Sequence, residues 1–248
     1  MLEDDYNDCL SKAIRGHGCS VMQLAHLAGI NEKRISNCLA GTEDASVIHS
    51  IAPHLQLNAN KLIALKHYQP TTPELPALTR VISPFGHLGV NAYLLQLDEQ
   101  SIVFDTGTDS TELLSFTPQP SHLFITHGHP DHTAGIVEFD MSQKHFPEEL
   151  QHGQIIQLED IQIKVLDVSG HFTPARAYFI TGTPYPICIV GDAIFAGSVG
   201  KCLNSELYTT ALANIRDHIL SLPENTILCP GHGPMTTVAQ ERANNPFF

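Results

Sequence analysis

The sequence predicts a layered α/β (α+β) domain preceded by a small all-α domain. Three observations carry this. The first seventy or so residues place apolar side chains at helical spacing. A proline-threonine joint follows in "YQPTTPELPAL" (68–78). Beyond it, short β-like runs alternate with helical stretches and end in polar residues. The boundaries read as a helical domain over 1–70, a linker over 71–77 and the mixed domain over 78–248.

In the front part, Cys9, Leu10, Ala13 and Ile14 mark one apolar stripe. "SVMQLAHLAG" opens with Ser20 and has Gln23 three positions on, a capping-box pattern, and Gly29 supplies a stop. "NEKRISNCLAG" predicts a second short helix with Ile35 and Leu39 inward. Two more helical stretches surround "SVIHSIAPHL" and "NANKLIAL", the first weakened by Pro53 unless that residue falls in a first turn. After the joint, "NAYLLQL" and "SIVFDTG" form a predicted hairpin about "DEQ". "HLFIT", "IQIKVLDV", "YPICIVGD" and "TILCPGHGP" predict strands, and "TTALANIRDHILSL" a helix.

Composition narrows the function classes. The 248 residues carry a net charge of −13, with 42% hydrophobic residues, enough for a real core. Residues 1–70 are nearly neutral, with 6 Lys/Arg against 7 Asp/Glu, whereas 71–248 carry 7 against 19 and would repel nucleic acid. No apolar run reaches the roughly 18 residues of a membrane span. The acidic opening "MLEDDYNDCL" is unlike a secretory signal, so a cytoplasmic protein without membrane partners is expected. The six cysteines show no CxxC spacing and read as free, mostly buried thiols.

The segment "THGHPDHTAG" (126–135) holds His127, His129, Asp131 and His132. Divalent transition metals take roughly four to six ligands, imidazole and carboxylate where hydrolysis is the task. His127 and His129, two apart, can point the same way from an extended loop. Asp131 and His132 follow at once, at the start of a helix, and alternate residues would feed two neighbouring sites. A surface loop with chance histidines is the competing reading, and H-x-H-x-D-H is a demanding pattern for it.

"FITHGHPDH" resembles the motif of the metallo-β-lactamase superfamily. The remaining ligand types follow in order: His171 in "SGHFTP", Asp192 in "IVGDAIF" and His232 in "CPGHGP". The resemblance covers about residues 78–248 and implies a four-layer αββα sandwich with metals at one edge, between the sheets. It also implies that His127, His129 and His171 hold one metal, that Asp131, His132 and His232 hold a second, and that Asp192 bridges them. Two divalent ions are expected, zinc first, with iron or manganese compatible. Metals about 3.5 Å apart would share a hydroxide and stabilise the oxyanion, with Asp131 also acting catalytically by orienting the nucleophile. Asp105 in "FDTG" matches a structural turn motif that bonds loop amides near the site. His87 reads as loop or rim, and Cys188 and Cys229 as strand packing.

Aspartate at 192 is similar to the dinuclear hydroxyacylglutathione hydrolases, the glyoxalase II group. That resemblance implies hydrolysis of a small-molecule thioester or ester, with Lys201 as a substrate-binding residue. Leu203, Gly233 and Pro234 stand where the group carries tyrosines, which leaves the thiol half of the substrate open. Only 21 positions separate His171 from Asp192 and 40 separate Asp192 from His232, so no inserted nuclease domain is expected.

"LAHLAGINEKRISNCLAG…IAPHLQLNANKL" resembles the Cro/C1-type helix-turn-helix over about residues 6–67, with Ala25 at the helix crossing and Gly29 at the turn. This implies DNA contact by Asn31, Lys33, Arg34, Ser36 and Asn37. The near-neutral charge and Glu32 equally suit a dimerisation or docking bundle, and a homodimer is expected. Two readings stand: a hydrolase assembled or localised by its front domain, or a transcriptional regulator whose metal domain senses or processes a metabolite.

Overall fold

The computed structural model describes residues 1–85, 88–140 and 143–248. Five helices open the chain: α1 (Tyr6–Gly16), α2 (Val21–Ala28), α3 (Glu32–Leu39), α4 (Ala45–Ile51) and α5 (Ala59–Ala64). The expected stripe of α1 buries Cys9, Leu10 and Ala13. The capping box at α2 is formed: Gln23 N donates to Ser20 Oγ (3.2 Å), and Ser20 N donates to Gln23 Oε1 (2.9 Å). Gly29 then ends the helix at φ 65°, a left-handed conformation that glycine adopts without steric cost. Pro53 falls in the first turn of a 3₁₀ segment, Ala52–Leu55, after α4 has ended, so no helical hydrogen bond is lost to it.

Two sheets follow. The first has the order β1-β2-β3-β4-β5, built from β1 (Leu78–Phe85), β2 (Leu88–Gln96), β3 (Ser101–Phe104), β4 (His122–Phe124) and β5 (Lys144–His145). Its first three strands are antiparallel neighbours, with Gln96 opposite Ser101 at the predicted hairpin; β3, β4 and β5 run parallel. The second sheet has the order β13-β12-β9-β8-β7-β6. Its strands are β6 (Ile155–Leu158), β7 (Ile161–Asp167), β8 (Arg176–Thr181), β9 (Ile187–Gly191), β12 (Ile227–Pro230) and β13 (Thr236–Thr237). A small ribbon, β10 (Ile194–Phe195) with β11 (Ser198–Val199), lies between β9 and β12 in the chain.

Strand alternation sorts the core. Tyr93, Leu95, Phe104, Phe124, Ile163, Val165, Tyr178 and Ile189 face inward and fill the space between the sheets. Leu94, Val103 and Leu123 point the other way, under α6 (Thr111–Phe116) with its Leu113. On the far side, Ala177, Cys188, Val190 and Leu228 meet α8 (Ser205–Asn214) through Tyr208 and Ala211. This is the αββα sandwich. Cys188 and Cys229 are fully buried strand residues, as expected, and all six thiols are free.

The front helices share the cluster of the second sheet's outer face: Cys9, Leu24, Ile48 and Leu62 belong to the same continuous core as Val190, Tyr208 and Leu228. The segment 1–70, read from sequence as a domain of its own, therefore packs directly on the sandwich. The joint also docks. Tyr68 Oη donates to Glu241 Oε1 (2.7 Å), Thr71 N to Gln240 Oε1 (2.9 Å), and Leu75 enters the core between the sheets. Glu241 lies on α9 (Val238–Asn244).

Candidate metal centre

The ligand side chains leave strand ends on one edge of the sandwich. After β4 the chain turns through His127 and His129 into α7 (Pro130–Thr133), where Pro130 sits in the first turn with its φ already helical. Asp131 and His132 are carried by that turn. His171 follows β7, Asp192 comes directly after β9, and His232 follows β12. Gly231 is needed where it stands, because a Cβ there would lie 2.2 Å from Asp192 Oδ1 and 2.5 Å from His132 Cε1.

All seven expected ligands converge. His127, His129, His171 and Asp192 form one group and Asp131, His132 and His232 another, each with its ligand atoms within 4.8 Å of one another. His129 Nδ1 lies 3.0 Å from His127 Nε2 and 3.1 Å from His171 Nε2. His232 Nε2 is 3.2 Å from Asp131 Oδ2. Asp192 stands between the groups: its Oδ2 is 3.4 Å from His171 Nε2 and 3.5 Å from His232 Nε2, and its Oδ1 is 3.4 Å from His132 Nε2.

Four of the five rings are held from behind through the other nitrogen. His127 Nδ1 lies 3.0 Å from Thr126 Oγ1, His132 Nδ1 2.8 Å from Asp105 Oδ2, His171 Nδ1 2.7 Å from the Lys201 carbonyl, and His232 Nδ1 3.0 Å from the Gly89 carbonyl. Donation to these acceptors puts a proton on Nδ1 and turns Nε2 inward, the atom that a metal would take. Asp105 also accepts from Thr126 N and Thr126 Oγ1, each at 2.8 Å, which bears out its expected structural role.

The electrostatics suit cations. Burial pushes the His127 imidazole down to about 2, with help from the neighbouring His132, so it is neutral. Burial also opposes charge on His232, but hydrogen bonds to Asp131 and Asp192 override it and lift that ring to about 10. For Asp192, burial would raise the carboxyl, yet His132 beside it holds it well below the usual carboxylate range. His132 Nε2 and Asp192 Oδ1 are buried polar atoms without any hydrogen-bond partner among the described residues. Orphans of this kind are costly unless something binds them, and a pair of divalent ions fits this donor set of imidazoles and carboxylates.

The other expected residues fall in different places. His87 lies outside the described residues. Lys201 contributes its backbone carbonyl to His171, while the residue itself is exposed at the rim. Asn31, Lys33, Arg34, Ser36 and Asn37 are all exposed and 31–37 runs along α3, away from the metal ligands in sequence. Three of these side chains serve the local fold: Asn31 Oδ1 caps Lys33 N (2.8 Å), Ser36 Oγ donates to Glu32 O (3.1 Å), and Arg34 Nη2 donates to Asp44 Oδ2 (2.6 Å) and Ser46 Oγ (2.7 Å). Sequence reasoning missed the aromatic wall. Phe172 lies 4.8 Å from the His129 ring, and Phe85 and Phe195 each lie 5.9 Å from His232. For Phe172 and Phe195 the available signal was proximity in sequence to His171 and Asp192; Phe85, 42 positions before His127, offered none.

Comparison with known proteins agrees. A family model described as the metallo-β-lactamase superfamily matches residues 85–142. The probable metallo-hydrolase YqgX of Bacillus subtilis is 24% identical over 202 residues, 66% of this chain and 95% of its own. The hydroxyacylglutathione hydrolase GloC of Haemophilus influenzae is 26% identical over 209 residues, 67% of this chain and 96% of its own. A metallo-β-lactamase structure from Staphylococcus aureus superposes with TM-score 0.58 at 22% identity, covering 70% of this chain and 63% of that one. A B3 metallo-β-lactamase structure gives 0.56 at 24%, covering 68% and 98%. The structures establish the fold. The family model and the relatives support the metallo-β-lactamase superfamily as the chain's class. Within that class, the relatives and the His/Asp cluster support a metal-dependent hydrolase. Among the described residues no helix is long and apolar enough to cross a membrane.

Proposed function

We propose that this protein hydrolyses a small-molecule thioester or ester by attack of water on the carbonyl carbon, in the manner of a hydroxyacylglutathione hydrolase. Asp192 carries the reading: one buried carboxylate faces His171 and His232 with Oδ2 and His132 with Oδ1, so it joins two ligand groups into one site. A bound pair of divalent ions, zinc first with iron or manganese compatible, supplies Lewis acidity that polarises a carbonyl oxygen and makes water acidic near neutral pH. The chain's own residues do the rest. The five imidazoles, Asp131 and Asp192 would hold the ions, which would displace the protons that His132 and His232 carry in the ion-free site, and Asp131 would also orient the attacking water by accepting its hydrogen bond. Phe172 and Phe195 keep bulk water from the ligands. Lys201, exposed beside His171, takes an anionic group of the leaving thiol. The Cys202 thiol, next to Lys201, is a poor nucleophile, since burial lifts it to about 11, which favours direct attack by water.

Metal analysis coupled to a panel of thioesters and esters tests this. About two metals per chain and chelator-sensitive cleavage of S-lactoylglutathione or a related thioester are expected. Turnover that survives full metal removal would end the reading.

A second reading rests on the solvent-facing side of α3, where Lys33 and Asn37 make no side-chain hydrogen bond among the described residues. In it, the α2–α3 pair is a helix-turn-helix that places α3 in the major groove of DNA, with the chain acting as a homodimeric regulator. Salt-dependent retention of duplex DNA, lost in Lys33→Ala, is expected; retention that is unchanged by both salt and substitution, or absent, rejects it.

A further inference from the structure

Beside His232 lies a cavity of about 250 Å³ whose lining includes Leu2, Glu3, Arg80, Ile82, Gly89 and Pro234. It adjoins the metal centre, because the Gly89 carbonyl is the atom that fixes His232 Nδ1 (3.0 Å), and Phe85 on the same hairpin lies 5.9 Å from the His232 ring. Residues 1–3 belong to its lining, and they are pinned there. Asp4 is buried and ion-paired with Lys12 of α1, and Lys12 also donates to the Val199 carbonyl (2.9 Å). The Glu3 backbone passes so close to Gly233 that a Cβ on that glycine would lie 3.1 Å from Glu3 N.

Two opposite charges line this space without pairing. Glu3 is in no ion pair or side-chain hydrogen bond among the described residues, and the charges it senses are those of His232, Asp4, Lys12 and Asp192. Arg80 spends Nη1 on the Gly233 carbonyl (3.0 Å) and has no other side-chain partner among the described residues. The apolar side chains of Leu2, Ile82 and Pro234 share the lining with Glu3 and Arg80. A half-buried carboxylate and a half-buried guanidinium are each satisfied by a ligand of opposite charge, and a guanidinium binds a carboxylate through paired N–H groups.

We propose that this cavity is a substrate subsite for an α-amino-acid-like group, with Glu3 receiving its ammonium and Arg80 its carboxylate. That the bound group belongs to a substrate rests on the hydrolase reading. Glu3 and Arg80 are then specificity-determining residues, and the front helices contribute to the catalytic cleft by holding residues 1–4 against it.

Calorimetric titration of the full-length, metal-loaded protein with L-methionine, N-acetyl-L-methionine and L-methioninamide tests this. The wild type is expected to bind methionine about tenfold more tightly than either blocked form, the scale of one charge-assisted hydrogen bond. Glu3→Gln should lose only the preference over the N-acetyl form, and Arg80→Met only the preference over the amide. Arg80→Lys, which keeps the charge, should retain part of the latter and guards against misfolding of Arg80→Met. Preferences that are equal in all variants would mean binding through the cations alone and overturn the subsite, as would no binding. Turnover of p-nitrophenyl acetate by the wild type separates the two claims. Turnover without the crossed preferences leaves the hydrolase and removes the subsite. Crossed preferences without chelator-sensitive turnover of any ester or thioester remove the hydrolase, and with it the assignment of the bound group to a substrate.

Discussion

Asp105 Oδ2 stands 2.8 Å from His132 Nδ1, at the back of a ring whose Nε2 faces Asp192 Oδ1 at 3.4 Å. The same carboxylate accepts from Thr126, whose hydroxyl in turn meets His127 Nδ1. One aspartate outside the ligand set thus orients a ligand in each group. Asp105 has φ 58°, a left-handed conformation that asparagine also tolerates.

Asp105→Asn should therefore fold while losing the charge that holds His132. Metal affinity is expected to fall about 10- to 100-fold, the scale seen when the partner behind a ligand histidine is removed. Competition with a chelating dye measures it. Wild-type affinity in the variant would mean that His132 is fixed by packing alone.

Gly16 closes the contact between α1 and α8. A Cβ at Gly16 would lie 2.4 Å from the Tyr208 ring. Gly16→Ala should cost about 1–3 kcal/mol in denaturant unfolding, the usual penalty of overpacking, and Tyr208→Leu in the same chain should restore part of it. An unaffected single variant would show that the two helices separate freely.

Glu241 is a second lock. Its carboxylate accepts from Tyr68 Oη (2.7 Å), Thr236 Oγ1 (2.8 Å), Gly197 N (2.9 Å) and Asn245 Nδ2 (2.9 Å). Glu241→Ala should cost about 3 kcal/mol through the buried donors it strands. The loss depends on pH. Burial raises the Glu241 carboxyl above its ordinary value of 4.5, against those four donated hydrogen bonds. The folded chain then keeps this proton to higher pH than the unfolded chain. Wild-type stability falls as pH rises from the ordinary value through the folded one, so the gap to Glu241→Ala should narrow over that window. A gap that widens with pH would reverse the sign assigned here.

His122 and His145 form a stacked pair on the first sheet, with Nδ1 of one 3.2 Å from Nε2 of the other. Burial lowers both, and for His145 the charge of His122 adds to it. The unfolded chain takes up these protons first. The pair's contribution is therefore present above pH 6.5, the ordinary histidine value, and is lost as pH falls through the lowered values. His122→Phe should make the decline in melting temperature below that pH shallower. An identical decline in the variant would assign the acid sensitivity elsewhere.

The sequence alone determined the candidate ligand set. His127 to His132 lie within one turn of chain, so their convergence is nearly local, and His171, Asp192 and His232 each follow an apolar run that a buried strand requires. Strand ends collect on one edge of a sheet, which is why a list of strand-end histidines and aspartates already described a site. The α2 capping box and the hairpin at "DEQ" were legible for the same reason: their determinants lie within a few residues. Strand β1 escaped notice because Arg80, Ser83 and Pro84 blur its alternation, and α9 because its burial depends on Tyr68 and Gly197, far away in sequence. Only the tertiary structure decided what the front helices touch. An amphipathic stripe states that a face must be covered and carries no record of its partner. Cys9 and Lys12 could have faced another helix, a second chain or solvent; packing turned them toward residues 197–199, next to the ligands, and so brought residues 1–4 to the edge of the metal site.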